Sequence, residues 1–284
     1  MPNTLRPAIW MIGAIVSFTA MAIAGRAVSF ELDTYEIMLF RSLTGIIIVL
    51  VVAGLAGTLK EVNRQQLTTH GIRNLAHFSG QNLWFYALNV IPLAQVFALE
   101  FTTPIWVILL SPFLLKERIT AIGALAALLG FAGVMVVTQP GATPISSGTI
   151  AAGTAAIGFA ISAIFTRKLT RTQTITCILF WLTVMQFCFG VIFAGYDGDI
   201  TLPSTSTAPW LVLIGCAGLL AHFCLTTALS LAPANIVMPI DFIRLPVIAI
   251  VAAYIYAESL DPWVFIGALL IFGANYLNLR FSNR

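Results

Sequence analysis

Four charged side chains stand deep inside long apolar runs: Arg41, Glu100, Asp241 and Arg244. A charge in the hydrocarbon core of a bilayer is expensive, so such residues face a bundle interior and pair with each other or with a ligand. The four formal charges sum to zero, and Arg244 follows Asp241 by three positions, which puts both on one helix face. An arginine can hold a carboxylate, and a carboxylate can hold an ammonium or other cation. The set therefore fits a zwitterionic or cationic ligand. The competing reading is a pair of structural ion bridges, Arg41–Glu100 and Asp241–Arg244, that only pin helices together. Glu100 falls about eight residues into its run and Asp241 about seven into its own, from opposite ends. At 1.5 Å per residue, this predicts the two acids on the order of 10 Å either side of each other across the midplane.

A second constellation is His77, Gln81, Trp84 and Leu88, which recur at helical spacing on one face. Such a face suits a cavity wall that hydrogen-bonds a ligand, or an interhelical hydrogen bond with none. Trp84 could stack an adenine or cap a sulfonium or ammonium by cation–π attraction, and His222 could accept a proton near neutral pH. Trp106 and Trp181, mid-run without polar face-mates, read as packing; Trp10, Trp210 and Trp263, near run ends, read as interfacial anchors. Pro104 and Pro246 stand near the midpoints of their runs, accompanied by Pro112 and Pro239. Each predicts a kink, usable as a two-state gate or present only as a static bend.

Other polar positions read as structural. Glu117 lies between Lys116 and Arg118 as a loop anchor, and Arg26 lies near Glu31, Asp33 and Glu36. The small residues Gly123, Ala126, Gly130 and Gly133 suit close helix contact. Cys177, Cys188, Cys216 and Cys224 lie in apolar runs without a CxxC pair, so neither a disulfide framework nor a zinc site is expected. There is no HExxH, P-loop or nucleophile elbow. No enzyme, metal or cofactor is predicted.

The elements that must position these residues follow from composition. The 284 residues are 59% hydrophobic and only 9% charged, with a mean hydropathy of +0.97; a soluble domain carries roughly 25% charge. A soluble enzyme, a disordered chain and a secreted disulfide scaffold are excluded, leaving an all-α polytopic membrane protein. With about 20 residues needed per crossing, ten transmembrane helices are predicted: 8–27, 35–56, 70–90, 92–115, 119–138, 148–167, 175–195, 209–230, 234–257 and 262–279. Short separators carry turn chemistry, such as Pro140-Gly141 and Pro203. The first run, after Arg6 and before Ala22-Ile23-Ala24, resembles a signal peptide but is too long, and reads as the first membrane helix.

With both termini cytoplasmic, the inner loops and termini hold Arg6, Lys60, Arg64, Arg73, Lys116, Arg118, Arg167, Lys168, Arg171, Arg280 and Arg284, while the outer loops hold Glu31, Asp33, Asp197, Asp199 and Asp261. That asymmetry predicts an N-in, C-in orientation.

Shifted by 141 positions, the chain aligns with itself without a gap. Arg26 meets Arg167, Gln81 meets His222, Pro92 meets Pro233, Glu100 meets Asp241, Phe101 meets Phe242 and Glu117 meets Glu258. The arginines break the pattern, since Arg41 meets Leu182 and Arg244 meets Thr103. Two halves, 1–141 and 142–284, are therefore expected. With five helices each, the second enters the membrane from the opposite side. Inverted repeats are an architecture of secondary transporters that alternate access to a midplane site.

The run Ala87-Leu88-Asn89-Val90-Ile91-Pro92-Leu93-Ala94, the Leu115-Lys116-Glu117-Arg118 segment, Gly123, Gly130 and Gly133, and the later Pro233, Ala257-Glu258-Ser259-Leu260 and Gly267 resemble the EamA-type ten-helix branch of the drug/metabolite transporter superfamily. The resemblance covers essentially the whole chain. It implies a central cavity among helices 1–4 and 6–9, with helices 5 and 10 supporting it. The run Phe97-Ala98-Leu99-Glu100-Phe101-Thr102-Thr103-Pro104 is more similar to S-adenosylmethionine importers than to aromatic amino acid exporters.

The expectation is then a secondary transporter of a small zwitterionic or cationic metabolite, S-adenosylmethionine first, in the inner membrane. Glu100, Asp241, Arg244, Arg41, Trp84, Gln81 and His222 would be substrate-binding, with Pro104 and Pro246 gating. The expected partners are the metabolite, the lipid bilayer and a coupling proton or counter-substrate, with no nucleic acid. The alternatives are an exporter of amino acids or hydrophobic drugs with structural intramembrane charges, and a membrane scaffold or sensor without transport.

Overall fold

The helix starts are written in capping residues. Asp33 accepts the Glu36 backbone N–H at 2.8 Å while its own N–H reaches Glu36 Oε2 at 2.9 Å, a reciprocal capping box. Thr120, Ser146 and Thr174 accept from the backbone N–H three residues on. The structure, a computed structural model, describes residues 5–114, 119–139, 145–196, 198–231, 240–241 and 243–281. Sequence readings made on Leu115 to Arg118, Pro140-Gly141, Asp197, Pro233, Pro239, Phe242 and Arg284, and on the Arg167 side chain, lie outside the described residues.

These residues form α1 (Leu5–Val28), α2 (Thr34–Leu55), a 3-10 turn (Leu59–Glu61), α3 (Leu67–Val90), α4 (Leu93–Glu100), α5 (Thr103–Leu114), α6 (Ala121–Thr138), α7 (Ser147–Leu169), α8 (Ile175–Ala194), α9 (Ala208–Leu231), α10 (Arg244–Tyr256) and α11 (Pro262–Phe281). No strand occurs among the described residues. The chain is all-helical.

Among the described residues, seven stretches are long and apolar enough to cross a bilayer: Arg6–Val28, Thr34–Leu55, Leu93–Leu110, Ala121–Thr138, Ser147–Thr166, Ile175–Ala194 and Ala208–Leu225. Its 24 residues give α3 the required length, at about 36 Å, but it is too polar to stand among the seven. Its polar residues are turned inward: His70, Arg73, Asn74, His77, Gln81 and Asn82 are all buried. Arg73, expected in an inner loop, is therefore a buried residue of α3, donating to Thr166 Oγ1 at 3.1 Å and Asn74 Oδ1 at 2.7 Å. Large apolar side chains take the outside instead, among them Ile47, Leu128, Ile192 and Leu269. Polar residues inside and apolar ones outside are what a lipid solvent requires.

Four lateral pairings build the bundle: α1 on α9, α3 on α7, α2 on α8, and α6 on α11. The last brings two glycines face to face. A Cβ at Gly267 would stand 2.6 Å from the Gly133 carbonyl oxygen and one at Gly133 2.7 Å from that of Gly267, so the two backbones touch.

The fourth predicted helix departs from expectation. It is not one kinked rod from Pro92 but two helices, α4 and α5, separated at Phe101-Thr102. Pro104 is the cause, because it lacks the N–H that would bond the Glu100 carbonyl. That carbonyl accepts from Thr103 Oγ1 at 2.6 Å, and the Phe101 carbonyl accepts from Asn275 Nδ2 at 3.1 Å. Pro104 and Pro246 thus sit in the first turns of α5 and α10, where a missing N–H costs nothing.

Outside the membrane-spanning helices, Glu31 ties the first turn to the segment before α9. Its carboxylate accepts from Thr207 Oγ1, from the Ser204 N–H at 2.6 Å and from Ser204 Oγ at 2.8 Å. These bonds, that from Thr207 foremost, hold the carboxyl below its ordinary pKa.

Candidate functional site

The helix break delivers Glu100, the last residue of α4, to Arg244, the first of α10. Arg244 Nη2 donates to Asp241 Oδ2 at 2.9 Å and to Glu100 Oε1 at 3.1 Å. The second oxygen of Glu100 accepts from Trp84 Nε1 at 2.8 Å. Three rings close round the guanidinium, with Phe18, Phe97 and Phe101 centroids 4.8, 4.9 and 5.1 Å from its carbon. Arg244 is 3% exposed. Two carboxylates on one guanidinium leave this triad a net charge of −1.

Two expectations are corrected here. The acids do not lie far apart across the midplane; both reach the same nitrogen, Arg244 Nη2. The Arg41–Glu100 bridge does not form among the described residues. Arg41 instead sits among α2, α3, α8 and α9, in a small cavity it shares with His77, Gln186 and His222.

The α3 face is buried as a unit: His77, Gln81, Trp84 and Leu88 are each 5% exposed or less. The structure does not pair Gln81 with His222. His222 meets His77, with ring centroids 5.7 Å apart, and meets Phe18 edge-on at 5.7 Å. Gln81 Oε1 is buried without a partner among the described residues. Trp84 packs T-shaped on Phe85 and Phe97, and its indole N–H is spent on Glu100. Phe18 connects the two regions by touching both Arg244 and His222. Trp181 is not mere packing, since its N–H reaches the Asn63 carbonyl at 2.7 Å; Trp106 packs on Phe131.

A third arrangement escaped the reading of the residues. Arg26 does not pair with Glu31, Asp33 or Glu36. It forms an ion pair with Glu258 and donates to the Leu88 and Ile91 carbonyls at 2.5 and 2.7 Å, while Glu258 Oε2 accepts the Leu93 N–H at 2.9 Å. The guanidinium also lies 5.0 Å from the Tyr256 ring. This node binds α1, the α3–α4 junction and the residues after α10, and lines an open cleft of about 500 Å³ with Ser29, Phe30 and Asn89. A signal existed: Arg26–Arg167 and Glu117–Glu258 both match at the 141-residue offset.

Among the described residues no group of His, Cys, Asp and Glu is arranged to hold a metal. The chemistry on offer is ion pairing and aromatic contact with a charged organic ligand.

Comparison with known proteins places the fold. A family model described as EamA-like transporter family matches residues 5–139 and again 146–280. The S-adenosylmethionine uptake transporter of Rickettsia bellii is 26% identical over 267 residues, covering 93% of this chain and 90% of that protein. The riboflavin transporter of Brucella anthropi is 30% identical over 217 residues (74% and 76%), and that of Vibrio cholerae 25% identical over 274 (95% and 91%). A crystal structure 18% identical superposes with a TM-score of 0.65 over 98% of this chain and 96% of the other, which is a likeness of fold alone. The protein is a multi-pass membrane transporter, and the chain belongs to the EamA-like transporter family of the drug/metabolite transporter superfamily.

Proposed function

We propose that the protein is a secondary transporter that moves a small zwitterionic or cationic metabolite across the inner membrane by alternating access, with S-adenosylmethionine the leading cargo. The observation that carries this reading is the triad of Glu100, Arg244 and Asp241, net −1 and boxed by aromatic rings. A cargo with a sulfonium or ammonium and a carboxylate exchanges ion for ion with such a triad: its cation takes the acids and its carboxylate takes Arg244. Trp84, Gln81 and His222 line the path, and Pro104 and Pro246, in the first turns of α5 and α10, serve the gate. Relatives named S-adenosylmethionine uptake transporter support the cargo.

The reading includes ten helices as two inverted halves, 1–141 and 142–284, with both termini cytoplasmic. The double family match supports it, as does the packing: under the 141-residue shift α1 on α9 becomes α7 on α3, while α2 with α8 and α6 with α11 map onto themselves. Inverted halves of this kind rock about a central site.

Riboflavin is the second reading, favoured by the relatives that carry that name. Counterflow in proteoliposomes tests both. Labelled S-adenosylmethionine is expected to accumulate against an unlabelled internal pool in wild type and to fail in folded Glu100→Gln. Accumulation of riboflavin alone, undiminished by Glu100→Gln, would overturn the cargo and the role of the triad.

A further inference from the structure

Both acids of the triad are taken by Arg244, and the cluster next to it across Phe18 is basic. Arg41 and Arg73 stand there with all three histidines of the chain, His70, His77 and His222, and none of the described acids pairs with either arginine. Arg73 at least has neutral acceptors, Thr166 and Asn74. The contact of Arg41 is weaker still, Nη1 to the Met38 thioether at 3.5 Å. A guanidinium carries five donors and does not lose its charge in proteins. Half-buried within a membrane bundle and without an acid partner, the Arg41 guanidinium calls for an anion.

The cavity at Arg41 has the form to supply one. It is bordered by α2, α3, α8 and α9, and its free volume is about 20 Å³. A cavity needs roughly 10–15 Å³ of such space to hold one water. The space takes one water or one monoatomic ion, not a metabolite. The neighbouring hydroxyls are already committed, Ser42 to the Met38 carbonyl at 2.6 Å and Thr183 to the Leu179 and Phe180 carbonyls. His77 is 5% exposed, and its Nε2 is buried without a partner among the described residues. Its ring meets that of His222, so two imidazoles and a guanidinium surround the space. Gln186 gives its amide N–H to the Asn74 carbonyl at 3.0 Å, and its unpartnered Oε1 is an acceptor suited to an imidazole N–H rather than to the anion. Gly218 completes the fit: a Cβ there would stand 2.9 Å from Arg41 Nη2.

We propose that this cavity is a binding site for one small inorganic anion, chloride in the cell, held by Arg41 with His77 and His222. The site does not include the triad, but it borders it through Phe18, and its His222 also faces the proposed cargo path. Its role is to neutralise the Arg41 guanidinium beside the cargo site.

The test is thermal stability of the purified full chain in detergent, without organic substrate, in sodium chloride, bromide, gluconate and sulfate at matched ionic strength. A ligand that binds only the native state raises its melting temperature saturably. Chloride and bromide are expected to do so and gluconate and sulfate are not. Arg41→Gln is expected to abolish the halide response, and Gly218→Ala, which crowds the guanidinium while leaving its charge, to move half-saturation to several-fold higher halide. Equal stability in chloride and gluconate would overturn the proposal, as would a halide response retained in folded Arg41→Gln. Stabilisation by gluconate, an organic carboxylate, with halides silent would also overturn it, and would assign Arg41 to a carboxylate ligand. Failure of S-adenosylmethionine counterflow leaves these outcomes readable, because no cargo is present.

Discussion

Removing Arg244 and removing Glu100 should have very different consequences, although the two side chains share a single hydrogen bond. Arg244→Gln leaves Glu100 and Asp241 facing each other without their common cation. Their bound oxygens lie 3.1 and 2.9 Å from one nitrogen, hence within about 6 Å of each other, where two like charges at an effective dielectric of about 20 repel by roughly 3 kcal/mol. Loss of one partner of a buried pair costs about 3–5 kcal/mol, and the repulsion falls within that range. Glu100→Gln instead leaves Asp241 and Arg244 matched one to one, and the new amide oxygen still accepts from Trp84. Its cost is one charged hydrogen bond, about 1.5–3 kcal/mol. The order expected in detergent is wild type, then Glu100→Gln, then Arg244→Gln, with partial rescue of Arg244→Gln by a second Glu100→Gln that relieves the repulsion. Melting temperatures of the four proteins check it. If Glu100→Gln is as damaging as Arg244→Gln, or the double variant is worse than either, the triad is not held as a surplus-acid cluster and the transport reading built on it falls.

Three further outcomes follow from other parts of the bundle. Arg26→Gln removes the ion pair with Glu258 and the donors to the Leu88 and Ile91 carbonyls; it should destabilise the chain by roughly 3–5 kcal/mol and speed hydrogen exchange over residues 88–93, measured by mass spectrometry. Gly267→Ala sets a methyl against the Gly133 carbonyl, and the strain should cost about 1–3 kcal/mol, whereas Gly273→Ala, with nothing within 4 Å, should not lower the melting temperature. The Glu31 carboxyl is held below its ordinary pKa by Thr207 and Ser204, so the tie it makes is present above the unfolded-state value and is lost as pH falls through the lowered one. Protection over residues 204–207, taken relative to the intrinsic exchange rate at each pH, should fall on acidification in wild type and be low at every pH in Glu31→Gln.

Composition and the length of the apolar runs were enough for class. With so little charge the chain cannot cover a water-facing surface, and continuous runs near 20 residues can satisfy their backbone in lipid only as helices. The rare polar and proline matches at one offset, together with the glycine and loop motifs, carried the family. They also marked Glu100, Asp241 and Arg244 as residues to inspect, because a charge in such a run is costly enough to be seen without a structure.

Partnership was not legible in the same way. Local spacing joined Asp241 to Arg244, since three residues on a helix fix a geometry, but the choice of Glu100 over Arg41 as the next partner depends on where α4 ends. That end is set by Pro104 and sealed by Asn275, a residue 174 positions from the carbonyl it caps. Arg26 and Glu258, 232 positions apart, meet for a similar reason: α1, the α3–α4 junction and the residues after α10 converge there. Periodicity records which face of a helix is polar, while long-range packing decides which two faces meet and therefore which charges are spent on each other. The triad with its surplus acid, the Arg26–Glu258 node and the cavity beside Arg41 exist only in the tertiary structure.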